Sequence, residues 1–148
     1  MSDYDALKLE NQLCFPLYAC AKEITRRYKP FLDRIGLTYT QYITMMVLWE
    51  KGELSVKELG ESLYLDSGTL TPLLKRLEQK GLLTRKRSER DERSLEVRIT
   101  KEGTKLRDLA LTIPRDMGDC IKLTREEFRT LYSLLYKTLY SIEKSMED

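Results

Sequence analysis

The feature that most narrows the fold is a change of hydrophobic period between residues 67 and 99. Leu70, Leu73, Leu74 and Leu77 recur at the three-and-four spacing of an amphipathic helix. Leu95, Val97 and Ile99 then alternate with Glu96 and Arg98, as a half-buried strand does. Leu83 to Ser88 is placed to pair with that strand across Glu89-Arg90-Asp91-Glu92, which predicts a two-stranded hairpin with a charged tip. Upstream, Ser55-Val56-Lys57-Glu58 reads as a capping box opening a short helix through Leu59 and Leu63. Only Tyr64-Leu65-Asp66 separates that helix from the next, which Gly81 stops.

Helical periods flank this segment. Leu13, Leu17, Ile24 and Tyr28 predict a helix from Leu9 to about Leu32, with a late start or kink at Pro16 and an end marked by Pro30 and Gly36. Thr38-Tyr39-Thr40-Gln41 is a capping box before the apolar run Tyr42–Glu50. In the helix that follows Asp66, Ser67 or Gly68 is the expected cap, with Pro72 in or just past the first turn at little cost in hydrogen bonds. Thr100 caps a helix expected to run to Pro114. Thr124-Arg125-Glu126-Glu127 is a further capping box, opening a final amphipathic helix with Phe128, Leu131, Leu134, Leu135, Leu139 and Ile142. The expected fold is one mainly α domain of 148 residues with a small β-hairpin, an α+β arrangement.

Composition removes several functions. No apolar run approaches the roughly 18 residues that span a bilayer, so no membrane partner is expected. The acidic start MSDYDALKLENQ lacks the layout of a signal peptide, and a cytoplasmic location is expected. Histidine is absent, and with it the usual catalytic triads and His-containing zinc sites. Cys14, Cys20 and Cys120 show no CxxC spacing, so neither a metal nor another cofactor is expected.

The charge distribution points to nucleic acid. Between Lys75 and Arg98 nine basic residues stand against five acidic ones, while the whole chain carries only +2. Two helices, a tight turn and a basic hairpin make a winged helix-turn-helix. Its second helix fits the major groove, with Ser67, Thr69 and Thr71 as short donors at its start and Lys75 and Arg76 further along. Arg87, Arg90, Asp91 and Arg93 lie in the wing, where Arg90 or Arg93 is placed to enter the minor groove. Each residue also has a plain structural role open to it: Ser67 and Thr69 as caps, Lys75 and Arg76 as solvated charges, Arg93 as partner of Asp91.

The segments LENQLCFPLYA, LTYTQYITMMVLWE, LYLDSGTLTPLLKRLEQKGLLTRKRSERDERS and ITKEG resemble the MarR family, and more narrowly its OhrR branch of organic-hydroperoxide sensors. The resemblance covers about Leu9 to Gly103. DERS is shared across the family, whereas the pairing of NQLCF with LTYTQY is specific to the branch. It implies a homodimer on a pseudo-palindromic operator of double-stranded DNA. Residues 1–36 and 101–148 would then be intertwined dimerisation helices, and residues 37–100 the DNA-binding region. It also implies that Cys14 is the sensor, that Tyr28 and Tyr39 hydrogen-bond its sulfur, one or both from the partner chain, and that an organic hydroperoxide is the oxidant. Members with a second cysteine carry it in the C-terminal region, where Cys120 stands; one-cysteine members use a small cellular thiol.

Thiol chemistry is consistent with such a role, because a thiolate cleaves an O–O bond and becomes a sulfenic acid. On the residues alone, Cys14 reads as a small packed hydrophobe, the tyrosines as interface packing and Cys20 as packing. Two other functions remain open at this level: a repressor released by a phenolic or other small ligand, and a thiol-dependent peroxidase. The second lacks a conventional nucleophile–base pair. A single-strand or RNA binder is disfavoured, since the basic hairpin has no interleaved aromatics for stacking.

Overall fold

The computed structural model describes residues 2–147. The chain divides into two compact units, one ending at Pro114 and the other beginning at Arg115.

The first unit starts with two 3₁₀ turns, Asp3–Leu7 and Leu9–Asn11. Helix α1 (Cys14–Asp33) follows, so the late start expected from Pro16 is what occurs. Pro16 is the third helical residue, where its missing N–H would have had no intrahelical acceptor. Pro30 lies within the last turn of α1, which ends at Asp33, one residue past the end expected at about Leu32. That stretch buries Leu32, and the backbone N–H of Leu37 closes the turn onto the Leu32 carbonyl at 3.2 Å.

Helix α2 (Tyr39–Lys51) opens with the predicted capping box, in which Thr38 Oγ1 accepts from the Gln41 N–H and Gln41 Oε1 accepts from the Thr38 N–H. Strand β1 (Glu53–Ser55) and helix α3 (Val56–Leu63) come next. At Ser55 the hydroxyl accepts from the Glu58 N–H at 3.1 Å, which is half of the predicted box. Tyr64 ends α3 in the left-handed conformation, with φ 55°. The turn is tight enough that a Cβ on Gly60 would lie 2.9 Å from the Leu65 carbonyl oxygen.

Helix α4 (Ser67–Gln79) buries Leu70, Leu73, Leu74 and Leu77. Its cap is Asp66, not Ser67 or Gly68 as expected: the Asp66 carboxylate accepts from the Thr69 N–H at 2.7 Å. Pro72 is the sixth helical residue and removes the bond its N–H would have made to the Gly68 carbonyl, a larger sacrifice than expected. Four buried leucines, at roughly 1.5–3 kcal/mol each, outweigh the roughly 3 kcal/mol that an interior proline costs.

Strands β2 (Leu83–Arg87) and β3 (Leu95–Ile99) form the predicted hairpin, with Leu83 opposite Ile99 and Arg87 opposite Leu95. The sheet has a third strand that the expectation omitted. β1 pairs antiparallel with the other edge of β3, Leu54 facing Val97. Helix α5 (Lys101–Ala110), capped by Thr100, lies so close to the sheet that a Cβ on Gly103 would stand 2.2 Å from the Leu82 carbonyl oxygen. The core joins Leu32, Met45, Leu48, Leu59, Leu74, Leu77, Leu83 and Val97.

Helix α6 (Ile113–Gly118) contains Pro114 as its second residue, so that proline opens a helix instead of closing one. In the second unit, helix α7 (Arg125–Glu147) begins with the predicted box between Thr124 and Glu127. No residue of α7 is buried. Phe128, Tyr132, Tyr136 and Tyr140 stack along it with ring centroids 6.2, 4.8 and 5.7 Å apart. Among the described residues, no helix is long and apolar enough to cross a membrane.

Candidate functional site

The leucine stripe of α4 faces the core and leaves Ser67, Thr69, Thr71, Lys75 and Arg76 together on the exposed side. The cap changes what the start of the helix can offer. Because Asp66 takes the Thr69 N–H, a phosphate does not have that backbone donor to itself, and the side chains must supply more of the contact. The Asp66 carboxyl is held below the usual carboxylate range, first by that N–H and then by the Thr69 hydroxyl.

The wing is built by its own backbone. Ser88 N–H donates to the Ser94 carbonyl at 2.8 Å, and Ser94 N–H to the Asp91 carbonyl at 2.9 Å. The Asp91 carboxylate accepts from the Arg93 N–H at 3.0 Å, and the Ser88 hydroxyl from the Arg90 N–H at 3.2 Å. Arg87 reaches the Glu92 carbonyl at 3.3 Å. Asp91 and Arg87 therefore shape the loop, while the Arg90 and Arg93 side chains are exposed at its tip.

Two ion pairs absent from the sequence reading fix this surface. Glu78, at the end of α4, accepts from both the backbone N–H and the guanidinium of Arg85 on β2, at 3.0 and 3.1 Å. That guanidinium holds the Glu78 carboxyl below its ordinary value. Glu53 of β1 accepts from Arg98 of β3 through both oxygens, at 3.1 and 2.9 Å. Periodicity gives no sign of either pair, since each joins elements whose adjacency only the fold creates.

Tyr28 of α1 and Tyr39 of α2 come together with ring centroids 5.0 Å apart, and Tyr42 adds a third ring 5.8 Å from Tyr28. Tyr42 was not singled out from the sequence; it stands three residues after Tyr39, on the same face of α2. Burial raises all three phenols, and the neighbouring phenols add to the rise at Tyr28 and Tyr42; Tyr42 is pushed up to about 12. They are O–H donors throughout the neutral range.

Cys14 does not join them within one chain. It is the first residue of α1 and Tyr28 is the fifteenth, a separation of about 21 Å at 1.5 Å per residue. Within one chain Cys14 is exposed, as is Cys20. Cys120 belongs to the other unit, in the turn after α6. It is half-buried, and its thiol donates to the Asp116 carbonyl at 3.4 Å.

The profile of the family described as "Transcriptional regulator SarA/Rot" matches residues 26–109. The organic hydroperoxide resistance transcriptional regulator of Bacillus subtilis (strain 168) is 50% identical over 141 residues, covering 95% of this chain and 96% of that protein. The chain belongs to the MarR family, in its OhrR branch. Among solved structures, AbfR of Staphylococcus epidermidis is 31–32% identical. Its reduced, DNA-bound form matches with a TM-score of 0.78 over 95% of this chain and 99% of that one. The disulfide form of the same protein matches at 0.61 over 97% and 96%. Escherichia coli MarR bound to operator DNA, at 23% identity and a TM-score of 0.81 over 94% and 99%, shares the winged-helix fold.

Proposed function

We propose that this MarR-family chain is a redox-sensing, DNA-binding transcription repressor that leaves its operator when an organic hydroperoxide oxidises Cys14. The observation that carries the reading is the separation of the sensor's parts. One chain assembles Tyr28 with Tyr39 but holds its own Cys14 about 21 Å off, exposed at a helix start. A second copy supplies what is missing. In the homodimer the Cys14 of one protomer meets the phenols of the other, and the uncovered apolar faces of α1 (Phe15, Tyr18) and α7 (Leu131, Leu134, Ile142) supply the dimer contact.

The chemistry needs no metal or cofactor. The Cys14 thiolate attacks the terminal oxygen of the hydroperoxide; an S–O bond forms, the O–O bond breaks, and the alkoxide takes a proton to leave as the alcohol. Sulfur loses two electrons and the peroxide gains them. The phenolic O–H groups donate to the sulfur before attack and to the departing oxygen afterwards. The oxidised Cys14 is the signal, and in this reading the protein acts as a sensor and not as a turnover catalyst. On the DNA side, Thr69, Thr71, Lys75 and Arg76 read the major groove, while Arg90 and Arg93 enter the flanking minor groove. Its place of action is the cytoplasm, with the chromosome.

A gel-shift on the region upstream of its own gene tests this reading. Wild type binds when reduced and is released by organic hydroperoxide; Cys14→Ser binds alike and stays bound. Release of Cys14→Ser by peroxide contradicts the assignment.

The disulfide form of AbfR favours a second step, in which the partner's Cys120 thiol attacks the Cys14 sulfenic acid, forming an S–S bond and releasing water. Peroxide-treated wild type should then run as a covalent dimer on a non-reducing gel, and Cys120→Ser as a monomer. Wild type that stays monomeric while losing DNA contradicts the bridge.

A further inference from the structure

Lys80 links the DNA-reading helix to the connector between α1 and α2, the helices that carry Tyr28 and Tyr39. It caps α4, and its ammonium donates backwards across 44 positions to the Gly36 carbonyl, in the turn between α1 and α2. The same nitrogen lies 3.4 Å from Gln41 Oε1. Gln41 is 4% exposed, and its Oε1 also accepts from the Thr38 N–H at 3.1 Å, the bond that starts α2. One cation therefore grips both the carbonyl before α2 and the side chain that organises its first turn. Tyr39 is the first residue of that turn, and Tyr28 lies about one and a half turns before the end of α1.

The other attachments of α4 differ in kind. Its leucines pack into the shared core without directional bonds, and Glu78 ties it to the wing strand. Thr100 Oγ1 donates to the Gly81 carbonyl at 2.6 Å, which fixes the chain just past Lys80 to the start of α5. A directional bond from the α1–α2 connector to α4 thus runs through Lys80. A hydrogen bond from a charged donor falls steeply with distance and angle. It is a contact that can differ between two arrangements of the connector, which is what coupling between sites requires.

We infer that Lys80 is a positioning residue that transmits the arrangement of Tyr28 and Tyr39 to the DNA-reading helix. In the reduced state its bonds to Gly36 and Gln41 hold α4 at the spacing the operator needs. Displacement of the tyrosines on oxidation of Cys14 moves the connector, breaks these bonds and releases α4. The inference rests on the sensor reading above.

The test uses the full-length homodimer and tert-butyl hydroperoxide, with two readouts: the rate of Cys14 oxidation by mass spectrometry, and operator Kd in the reduced and oxidised states. Lys80→Met keeps the aliphatic stem and removes the donors; Lys80→Gln is too short to reach the Gly36 carbonyl. Both should oxidise at the wild-type rate, yet the ratio of oxidised to reduced Kd should fall by at least about fivefold. Lys80→Arg, which keeps a cationic donor, should retain the ratio. Lys75→Met, which loses a contact on the DNA side, should weaken both states alike. A merely structural role for Lys80 would lower stability without changing the ratio. A wild-type ratio in both Lys80→Met and Lys80→Gln overturns the linkage alone. A wild type that oxidises at Cys14 and keeps its DNA overturns the sensor reading and the linkage together.

Discussion

At the residue scale, side chains of one type divide by what their backbones already hold. Asp91 and Arg87 spend their polar atoms on the wing loop, whereas Arg90 and Arg93 have only their main-chain N–H groups tied down and project exposed guanidiniums. Arg93→Ala should therefore weaken operator binding by roughly 1–3 kcal/mol and leave the dimer folded. Fluorescence anisotropy on operator DNA beside a thermal melt measures both. Affinity equal to wild type would show that this arginine does not enter the groove. Asp91→Ala should act differently, because removing the turn's acceptor loosens the loop that aims both arginines.

Elements that local chemistry specifies were legible in the sequence, and those that depend on a distant partner were not. The boxes at Thr38 and Thr124 are complete within four residues each and occur as read. The strand at Leu95–Ile99 shows its period in five residues. β1 has three residues, too few for alternation to register, and exists because β3 offers it an edge. Pro114 misled because a proline at the second position of a helix loses no intrahelical bond, so it opens α6 instead of closing the helix before it. Asp66 stands in the three-residue turn, where a short carboxylate reads equally as a turn residue or as the cap that it is.

The joint between α4 and β2 makes its own prediction. The folded Glu78 carboxyl lies below its ordinary value of 4.5, so the bridge to Arg85 stabilises fully above that pH and is lost as pH falls through the lower folded value. The pair is partly exposed, and solvent screening limits it to about 1 kcal/mol. Urea melts of wild type and Glu78→Gln should differ at pH 7 and converge at the acid end. A gap that persists unchanged below the folded value would remove this ion pair as its source.

For the whole molecule, the proposed sensor is shared between two chains. The motif resemblance implies Cys14, Tyr28 and Tyr39 and a contribution from the partner chain, and the length of α1 supplies a physical reason for it: about 21 Å separates Cys14 from the Tyr28 of its own chain. A mixed dimer tests this directly. One protomer carries Tyr28→Phe and Tyr39→Phe with its native Cys14; the other carries Cys14→Ser with native tyrosines; two different affinity tags isolate the heterodimer. Phenylalanine keeps the ring packing and removes only the O–H donors. The measurement is the rate at which tert-butyl hydroperoxide oxidises the one remaining Cys14. In the homodimer of the phenylalanine chain that rate should fall about tenfold or more, the loss of a charge-assisted hydrogen bond at about 1.5–3 kcal/mol. In the heterodimer it should return to the wild-type value, because the partner restores the phenols. Equal, slow oxidation in both dimers would contradict a sensor shared between protomers.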